Sequence, residues 1–342
     1  MSVHNFTSDI AIIGAGPVGL FTVFQAGMLN LRTVVIDALD IPGGQCSALY
    51  PEKPIYDIPA HPRITGEDLI EQLRRQAEPF HPHYLLGRTV NAMTKRPDGG
   101  FELTLSSGEQ IRVGAVVIAA GCGAFGPNRP PLDGLEVFEN KSVFYLVRRR
   151  EDFRDKRVVI AGGGDSAVDW ALSLADVAAR VMVVHRRPKF RAAPESERRL
   201  KMLADEGRID LVIPYQLSGL EGQNGQLSAV LVKDLDNREK RLEADSLLAF
   251  FGLAMDLGPI AEWGLNLDRN HITVNAATLQ TSTAGIYAIG DIANYPGKLK
   301  LILSGFSEAA MAVHAAQAYL HPDQILHFEY STTRGVPGSK SY

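Results

Sequence analysis

The chain has 342 residues, 45% hydrophobic and 22% charged, the make-up of an ordinary globular protein long enough for two domains with full cores. A formal net charge of -4 argues against a nucleic-acid partner. No apolar stretch approaches the ~20 residues that span a bilayer, and Met1 to Ser8 lack a basic segment followed by an apolar one, so the expectation is a cytoplasmic protein with no membrane partner.

Ile10 to Ile13 form a short, β-branched apolar run that reads as a buried strand. Gly14-Ala15-Gly16-Pro17-Val18-Gly19 then satisfies G-x-G-x-x-G where a helix, roughly Val18 to Leu29, should begin. Gly14 permits the tight turn, Gly16 lets backbone approach a pyrophosphate, and Gly19 lets helix pack on strand, while the helix N-terminus offers N–H groups to phosphate. Twenty-three residues after Gly14, the strand Thr33 to Ile36 ends in Asp37, an acid suited to an adenosine ribose.

Residues 42 to 59, rich in Gly and Pro, read as a loop of fixed path that carries Gln45 and Tyr50. Tyr50 is equally suited to stacking on a planar ring and to packing beside proline. Thr65 to Phe80 reads as an amphipathic helix capped by Thr65. Arg88 to Lys95 and Phe101 to Ser106 read as a hairpin across Pro97-Asp98-Gly99-Gly100, with Gln110 to Val113 extending the meander. Ala115 to Gly121 reads as a separate buried strand. Two cysteines, Cys46 and Cys122, stand in no C-x-x-C pair, so neither a dithiol centre nor a metal site is expected, and both read as isolated buried thiols.

Beyond a Pro-rich boundary the opening pattern recurs. Arg157 to Ala161 is a strand, and Gly162-Gly163-Gly164-Asp165-Ser166-Ala167 fits G-x-G-x-x-A ahead of a helix from Ala167 to Leu174. The next strand, Arg180 to Val184, ends at His185, again 23 residues after the first glycine of its motif. Two dinucleotide units in one register are far more specific than either alone. Where the first unit has Asp37, the second has His185-Arg186-Arg187, with Lys189 and Arg191 close behind. A carboxylate would repel a 2'-phosphate that guanidinium groups pair with bidentately, so the first unit suits FAD or NAD and the second NADP. Positions 186 to 201 hold seven basic residues against two acidic ones, a run that elsewhere is only solvated surface, and Arg198, Arg199 and Lys201 are read that way. Leu211 to Pro214, Leu227 to Asp234 and Arg241 to Phe251 read as strands. Thr281 to Asp291 reads as another, ending in Gly290-Asp291 before a helical span within Lys298 to Tyr319.

The order of these motifs, with the H-R-R-x-x-F-R-A run (His185 to Ala192) and the late A-x-G-D (Ala288 to Asp291), resembles the two-domain flavoprotein reductases that include thioredoxin reductase. The redox pair of thioredoxin reductase is absent: its region here is Ser142 to Val147. G-G-Q-x-x-x-x-Y-P-x-K-x-I-Y-D (Gly43 to Asp57) and G-G-G-D-S-A-x-D-W (Gly162 to Trp170) are similar to a cysteine-free sister group, the thioredoxin-reductase-like (type 2) ferredoxin–NADP reductases. That resemblance covers nearly the whole chain. It implies an α/β protein of two Rossmann-like dinucleotide-binding domains, for FAD (1–118 and 250–342, with a C-terminal tail) and for NADPH (119–249), the second inserted into the first.

The resemblance further implies FAD contacts through Val18, Asp37, Gln45, Tyr50, Val90, Phe125, Asp291 and Thr332, with Tyr50 and Tyr330 on opposite faces of the flavin ring. NADPH would rest on Gly162 to Ala167, with its 2'-phosphate on Arg186, Arg187 and Arg191. The implied protein is a homodimer that exchanges electrons reversibly with ferredoxin or flavodoxin, and the hydride chemistry is the flavin's, so no catalytic acid, base or nucleophile is expected. Positions 141 to 157, seven basic and three acidic, are a candidate docking patch for an acidic carrier. A flavin monooxygenase, a quinone reductase and a non-catalytic NADP-binding sensor are the rival readings, the first two lacking the linker signature and the C-terminal anchor that they need.

Overall fold

The computed structural model describes residues 6–324 and 335–336, with backbone alone at 124–127 and 253–255. It divides into two compact units, Met1–Phe125 with Met255–Tyr342, and the inserted Gly126–Ala254. These crossings fall a few residues beyond the sequence boundaries after 118 and 249. The reason is local. The Ala119 N–H still bonds the Ile13 carbonyl, and the Phe250 N–H still bonds the Ala161 carbonyl, so each strand's exit stays with its own sheet.

The first unit is built on a seven-stranded sheet in the order His83–Leu86, Thr33–Asp37, Phe6–Ile13, Gln110–Ile118, Phe101–Leu105, Val90–Lys95, with Ile286–Ala288 also paired to Gln110–Ile118. Phe6–Ile13 runs parallel to both neighbours, and Ile10, Ala11 and Ile12 are fully buried, as expected of a strand covered on both faces. The meander strand at Gln110 and the buried strand at Ala115 prove to be one element. Its first half pairs antiparallel with Phe101–Leu105 and its end pairs parallel with Ile286–Ala288. Gly114 lies at the change-over, where a Cβ would come within 2.3 Å of the Leu320 side chain. Helix Pro17–Met28 follows the glycine turn, and Thr65 caps Gly66–Ala77, its Oγ1 accepting the Asp68 N–H at 3.1 Å. Of the predicted strand Thr281 to Asp291 only Ile286–Ala288 is paired as a strand, and Gly290–Ile292 is a short 3-10 turn before helix Ile302–Leu320.

The second unit holds a parallel sheet in the order Val143–Phe144, Ser246–Ala249, Arg157–Ala161, Arg180–Val184, Ile209–Val212. The expected single strand from Arg241 to Phe251 is two, Glu239–Glu243 and Ser246–Ala249. Between them Asp245 turns back to Arg157, accepting its backbone N–H at 2.9 Å and its Nη2 at 2.7 Å. Glu239–Glu243 closes an antiparallel meander with Gln216–Gln223 and Gln226–Lys233. Gln216–Gln223 is half-buried throughout much of its length and has no polar–apolar alternation to announce it. The charge run after Ala193 is helix Pro194–Asp205, which buries Leu200 and Leu203.

The internal repeat therefore extends past its motif. In both units a strand, glycine turn, helix, second strand and three-stranded meander follow in order, and the chain then returns to the parallel sheet, by the last meander strand itself in the first unit and by the separate Ser246–Ala249 in the second. The Gly14 N–H bonds the Ile36 carbonyl at 2.8 Å, and the Gly162 N–H bonds the Val184 carbonyl at 3.0 Å.

Candidate functional site

The three motif glycines of the first unit serve different purposes. Gly14 has φ +110°, and a Cβ there would lie 2.3 Å from the Ala119 carbonyl oxygen; one at Gly19 would lie 1.9 Å from the Gly14 carbonyl oxygen. Backbone packing requires both. Gly16 is extended at φ -67°, and a Cβ there would meet no atom within 4 Å. Neither conformation nor protein packing demands glycine at that position. What it keeps open is the approach to the N-terminus of Pro17–Met28, where backbone donors and helix dipole favour an anion. Gly164 repeats the case in the second unit, extended and with no neighbour for a Cβ.

Asp37 is tied to the same turn. Its Oδ2 accepts the Ala15 N–H at 2.6 Å and its Oδ1 the Leu39 N–H at 2.8 Å. Burial pushes its pKa up, and these two N–H bonds act against that rise. A cavity of about 490 Å³ opens here, of the ~300–1,000 Å³ expected for a cofactor site. Gly14, Gly16, Val18, Asp37 and Val90 line it, and so do Gln45, Tyr50 and Asp291. This is the lining that a flavin dinucleotide needs: phosphate donors at the turn, an acid for the ribose, and an apolar remainder.

Both cysteines lie on the cavity wall. Cys46 is buried and donates to the Tyr50 hydroxyl at 3.7 Å; Cys122 is half-buried and accepts from the Gln45 amide at 3.5 Å. Cys122 thus departs from the expected isolated, buried thiol, because the turn after Ile118 brings it to the cavity. Burial pushes Cys46 up to about 11 and raises Cys122, with the Asp291 charge adding to both. Neither is poised as a thiolate nucleophile. Burial likewise raises the Tyr50 phenol far above its ordinary value. Asp291 follows Gly290, whose N–H donates to Glu308 at 2.7 Å. Glu308, 2% exposed, also accepts the Tyr295 hydroxyl at 2.7 Å and pairs with Lys298, so a buried network sets the turn that carries Asp291.

In the second unit the loop after His185 folds back on its glycine turn. The Arg191 N–H bonds the Gly163 carbonyl at 2.6 Å, and Asp165 accepts the Ala193 N–H at 2.9 Å. The His185 ring stacks on Phe190 at 5.3 Å between centroids and covers Gly163, where a Cβ would lie 2.2 Å from the imidazole. Its buried Nε2 has no hydrogen-bond partner among the described residues. Burial lowers the His185 pKa, and the charges of Arg186, Arg187 and Arg191 lower it further. Arg198 and Lys201 pair with Glu195 and Glu197 at 2.7 and 2.6 Å. Arg186, Arg187 and Arg191 are exposed and make no ion pair among the described residues. Arg199 also makes none, but it lies on helix Pro194–Asp205, not in the loop that bonds the turn.

The model of the pyridine nucleotide-disulphide oxidoreductases matches residues 8–318. The chain belongs to that family. Within it, the chain is 64% identical over 330 residues to the ferredoxin–NADP reductase of Paramagnetospirillum magneticum, covering 96% of this chain and 98% of the relative. It is 62% identical over 337 residues to the ferredoxin–NADP reductase of Acidiphilium cryptum, covering 98% and 99%. The thioredoxin reductases of Lactococcus lactis and T. acidophilum share the fold, each with a TM-score of 0.80 at 21% and 22% identity, over 92% and 91% of this chain and 99% and 98% of theirs. The α/β architecture with two dinucleotide-binding units is that of this oxidoreductase family.

Most of the predicted residues meet at the two turns. Gly14, Gly16, Val18, Asp37, Gln45, Tyr50, Val90 and Asp291 line one cavity, and Gly19 packs beneath it. Gly162, Gly164, Asp165, Ser166 and Ala167 form the second turn and the start of its helix, with His185 and Arg191 against it. Tyr330, Thr332 and the side chain of Phe125 lie outside the described residues. Sequence reasoning missed Arg88, Lys300 and the wall formed by 257–263 with Trp263, which no motif marks and which reaches the cavity from late in the chain. The candidate docking patch is largely neutralised: Arg149 pairs with Asp152, Arg150 and Arg154 with Glu151, and Arg157 with Asp245 and Glu243.

Proposed function

We propose that the chain is a ferredoxin–NADP reductase that binds FAD in the first unit and NADP(H) in the second. One observation carries the division of labour. At the equivalent strand end and the loop after it the first unit has Asp37 bonded to its glycine turn, and the second has exposed guanidinium groups that make no ion pair among the described residues, so only the second suits a 2'-phosphate. When bound, FAD supplies hydride acceptance and one-electron release.

In this reading Asp37 holds the adenosine ribose, Val90 faces the adenine, Gly14 to Val18 bind pyrophosphate, and Asp291 takes a ribitol hydroxyl. Tyr50, a neutral phenol, lies against the ring. Gly162 to Ala167 with Arg186, Arg187 and Arg191 hold the NADP(H) phosphates. The protonated thiols and the missing redox pair favour a one-electron carrier over a disulfide substrate. A ferredoxin or flavodoxin is that carrier. The reading includes a cytoplasmic homodimer. Among the described residues no helix is long and apolar enough to cross a membrane, and Leu299, Leu301 and Leu303 are exposed at the start of the last helix.

The test is NADPH-dependent reduction of cytochrome c by the purified, FAD-loaded protein, with and without ferredoxin, beside a thioredoxin and disulfide control. Strong dependence on ferredoxin is expected. Disulfide turnover, or NADPH oxidation that ferredoxin does not accelerate, would assign a different acceptor.

A further inference from the structure

Lys300 lies just before helix Ile302–Leu320 and lines the cavity with Asp291, Leu301 and Ile302. Its Nζ is 2.7 Å from Nε2 of His271, on strand His271–Thr273. An ammonium has no lone pair, so Lys300 donates and Nε2 accepts, which makes His271 the neutral tautomer protonated at Nδ1. The surroundings keep it neutral. Burial lowers the His271 pKa, Lys300 and Arg269 lower it further, and Asp268 and Asp291 oppose them.

The cavity's contents follow from its walls. Asp37 marks the ribose end, and the turn from Gly14 marks the pyrophosphate. The stretch beside Gln45, Tyr50, Cys122 and Asp291 is left for the half of the dinucleotide that carries the redox ring. Among the described residues four charged side chains line the cavity: Asp37, Arg88, Asp291 and Lys300. Arg88 pairs with Glu109 at 2.7 Å and lies two residues from Val90, at the adenine end. Lys300 is the cation felt by Cys122 at the other end.

Resting on the flavoprotein reading above, we propose that Lys300, positioned by His271, supplies the positive charge at the redox end of the cavity and thereby raises the reduction potential of the bound flavin. A hydride brings two electrons and one proton, so its acceptor gains one unit of negative charge. A nearby cation therefore binds the reduced form more strongly than the oxidised form. Because Lys300 is exposed, the effect weakens as salt rises.

The experiment is a spectroelectrochemical titration of the FAD-loaded protein at fixed pH, comparing Lys300→Gln, Lys300→Arg, His271→Phe and His271→Gln with the parent. Lys300→Gln is expected to lower the ratio of reduced-form to oxidised-form affinity about tenfold, a fall of about 30 mV for a two-electron couple. Lys300→Arg keeps the charge and the parent potential. His271→Phe shifts the potential in the same direction as Lys300→Gln with Lys300 intact, whereas His271→Gln, whose amide oxygen accepts the ammonium proton, restores it. His271→Phe also keeps the test decisive if Lys300→Gln loses flavin. An unchanged potential in Lys300→Gln overturns the proposal, and an unchanged potential in His271→Phe overturns the positioning role. Failure of the parent protein to bind FAD or to reduce ferredoxin would instead overturn the functional reading.

Discussion

The carboxylate of Asp37 accepts the N–H of Ala15 at 2.6 Å, so the acid that ends one strand is bonded to the turn that ends its neighbour. That bond presents the carboxylate beside the glycine turn, which is where, in the proposed reading, a ribose adjoining a pyrophosphate needs an acid. Asp37→Ala removes the acceptor for two backbone N–H groups as well as the ribose partner. Hydrogen bonds to a charged group are worth about 1.5–3 kcal/mol each, so FAD affinity should fall ten- to a hundredfold or more. Asp37→Asn, which keeps an acceptor oxygen, should lose less. Fluorescence titration of the apoprotein with FAD measures both, and equal losses would remove the charge from the argument.

The first two glycines of the motif separate folding from binding. Gly14→Ala places a Cβ at φ +110° and 2.3 Å from a carbonyl oxygen, which should cost about 2 kcal/mol or more in thermal denaturation. Gly16→Ala meets no protein atom and should leave the apoprotein's Tm within a degree or two, while weakening FAD at least tenfold. A Gly16→Ala protein that binds FAD normally would show that the pyrophosphate lies elsewhere.

Both turns, their 23-residue interval and the contrast between Asp37 and His185 are legible in the sequence because each is a local pattern with one physical cause. The meander boundaries are not, since Gln110–Ile118 changes partners midway and Asp245 breaks a run for the sake of Arg157. The cavity's other walls come from 257–263 and 290–302, more than 200 residues from the first turn, and no short-range pattern announces a contact of that separation. Glu308 is the plainest example. In sequence it is an acid in an alanine-rich helix, and only the fold shows it holding Gly290, Tyr295 and Lys298 together out of water.

Three histidines set the pH response. His185, His271 and His314 all have pKa values lowered first by burial. The unfolded chain binds these protons more readily, near pH 6.5, so the stability tied to neutral imidazoles is complete above that value. It is lost progressively as pH falls through each depressed value. The lowered carboxylates Asp9 and Asp245 act below their ordinary value of 3.8, and Asp37, whose pKa burial raises, contributes in the opposite sense, the folded form gaining stability as pH falls through the raised value. The three histidines should therefore make Tm decline between pH 7 and pH 5. A Tm that holds level to pH 5 would mean that these rings are protonated without penalty in the folded protein.

In the proposed reading the choice of nucleotide rests on the loop from Arg186 to Arg191. Its guanidinium groups make no ion pair among the described residues, whereas Arg198 is already paired with Glu195. A cation with no partner is free to meet a phosphate, and each bidentate contact with the 2'-phosphate is worth about 1.5–3 kcal/mol. Arg186→Gln with Arg187→Gln should raise the KM for NADPH by ten- to a hundredfold and leave that for NADH within about twofold. Arg198→Gln, which disturbs only a surface pair, should move neither. Steady-state kinetics with both nucleotides decides the matter. Equal rises for NADPH and NADH would mean that these arginines order the loop against Gly163 and do not read the phosphate, and the preference would then have to come from Arg191, whose N–H already bonds the Gly163 carbonyl.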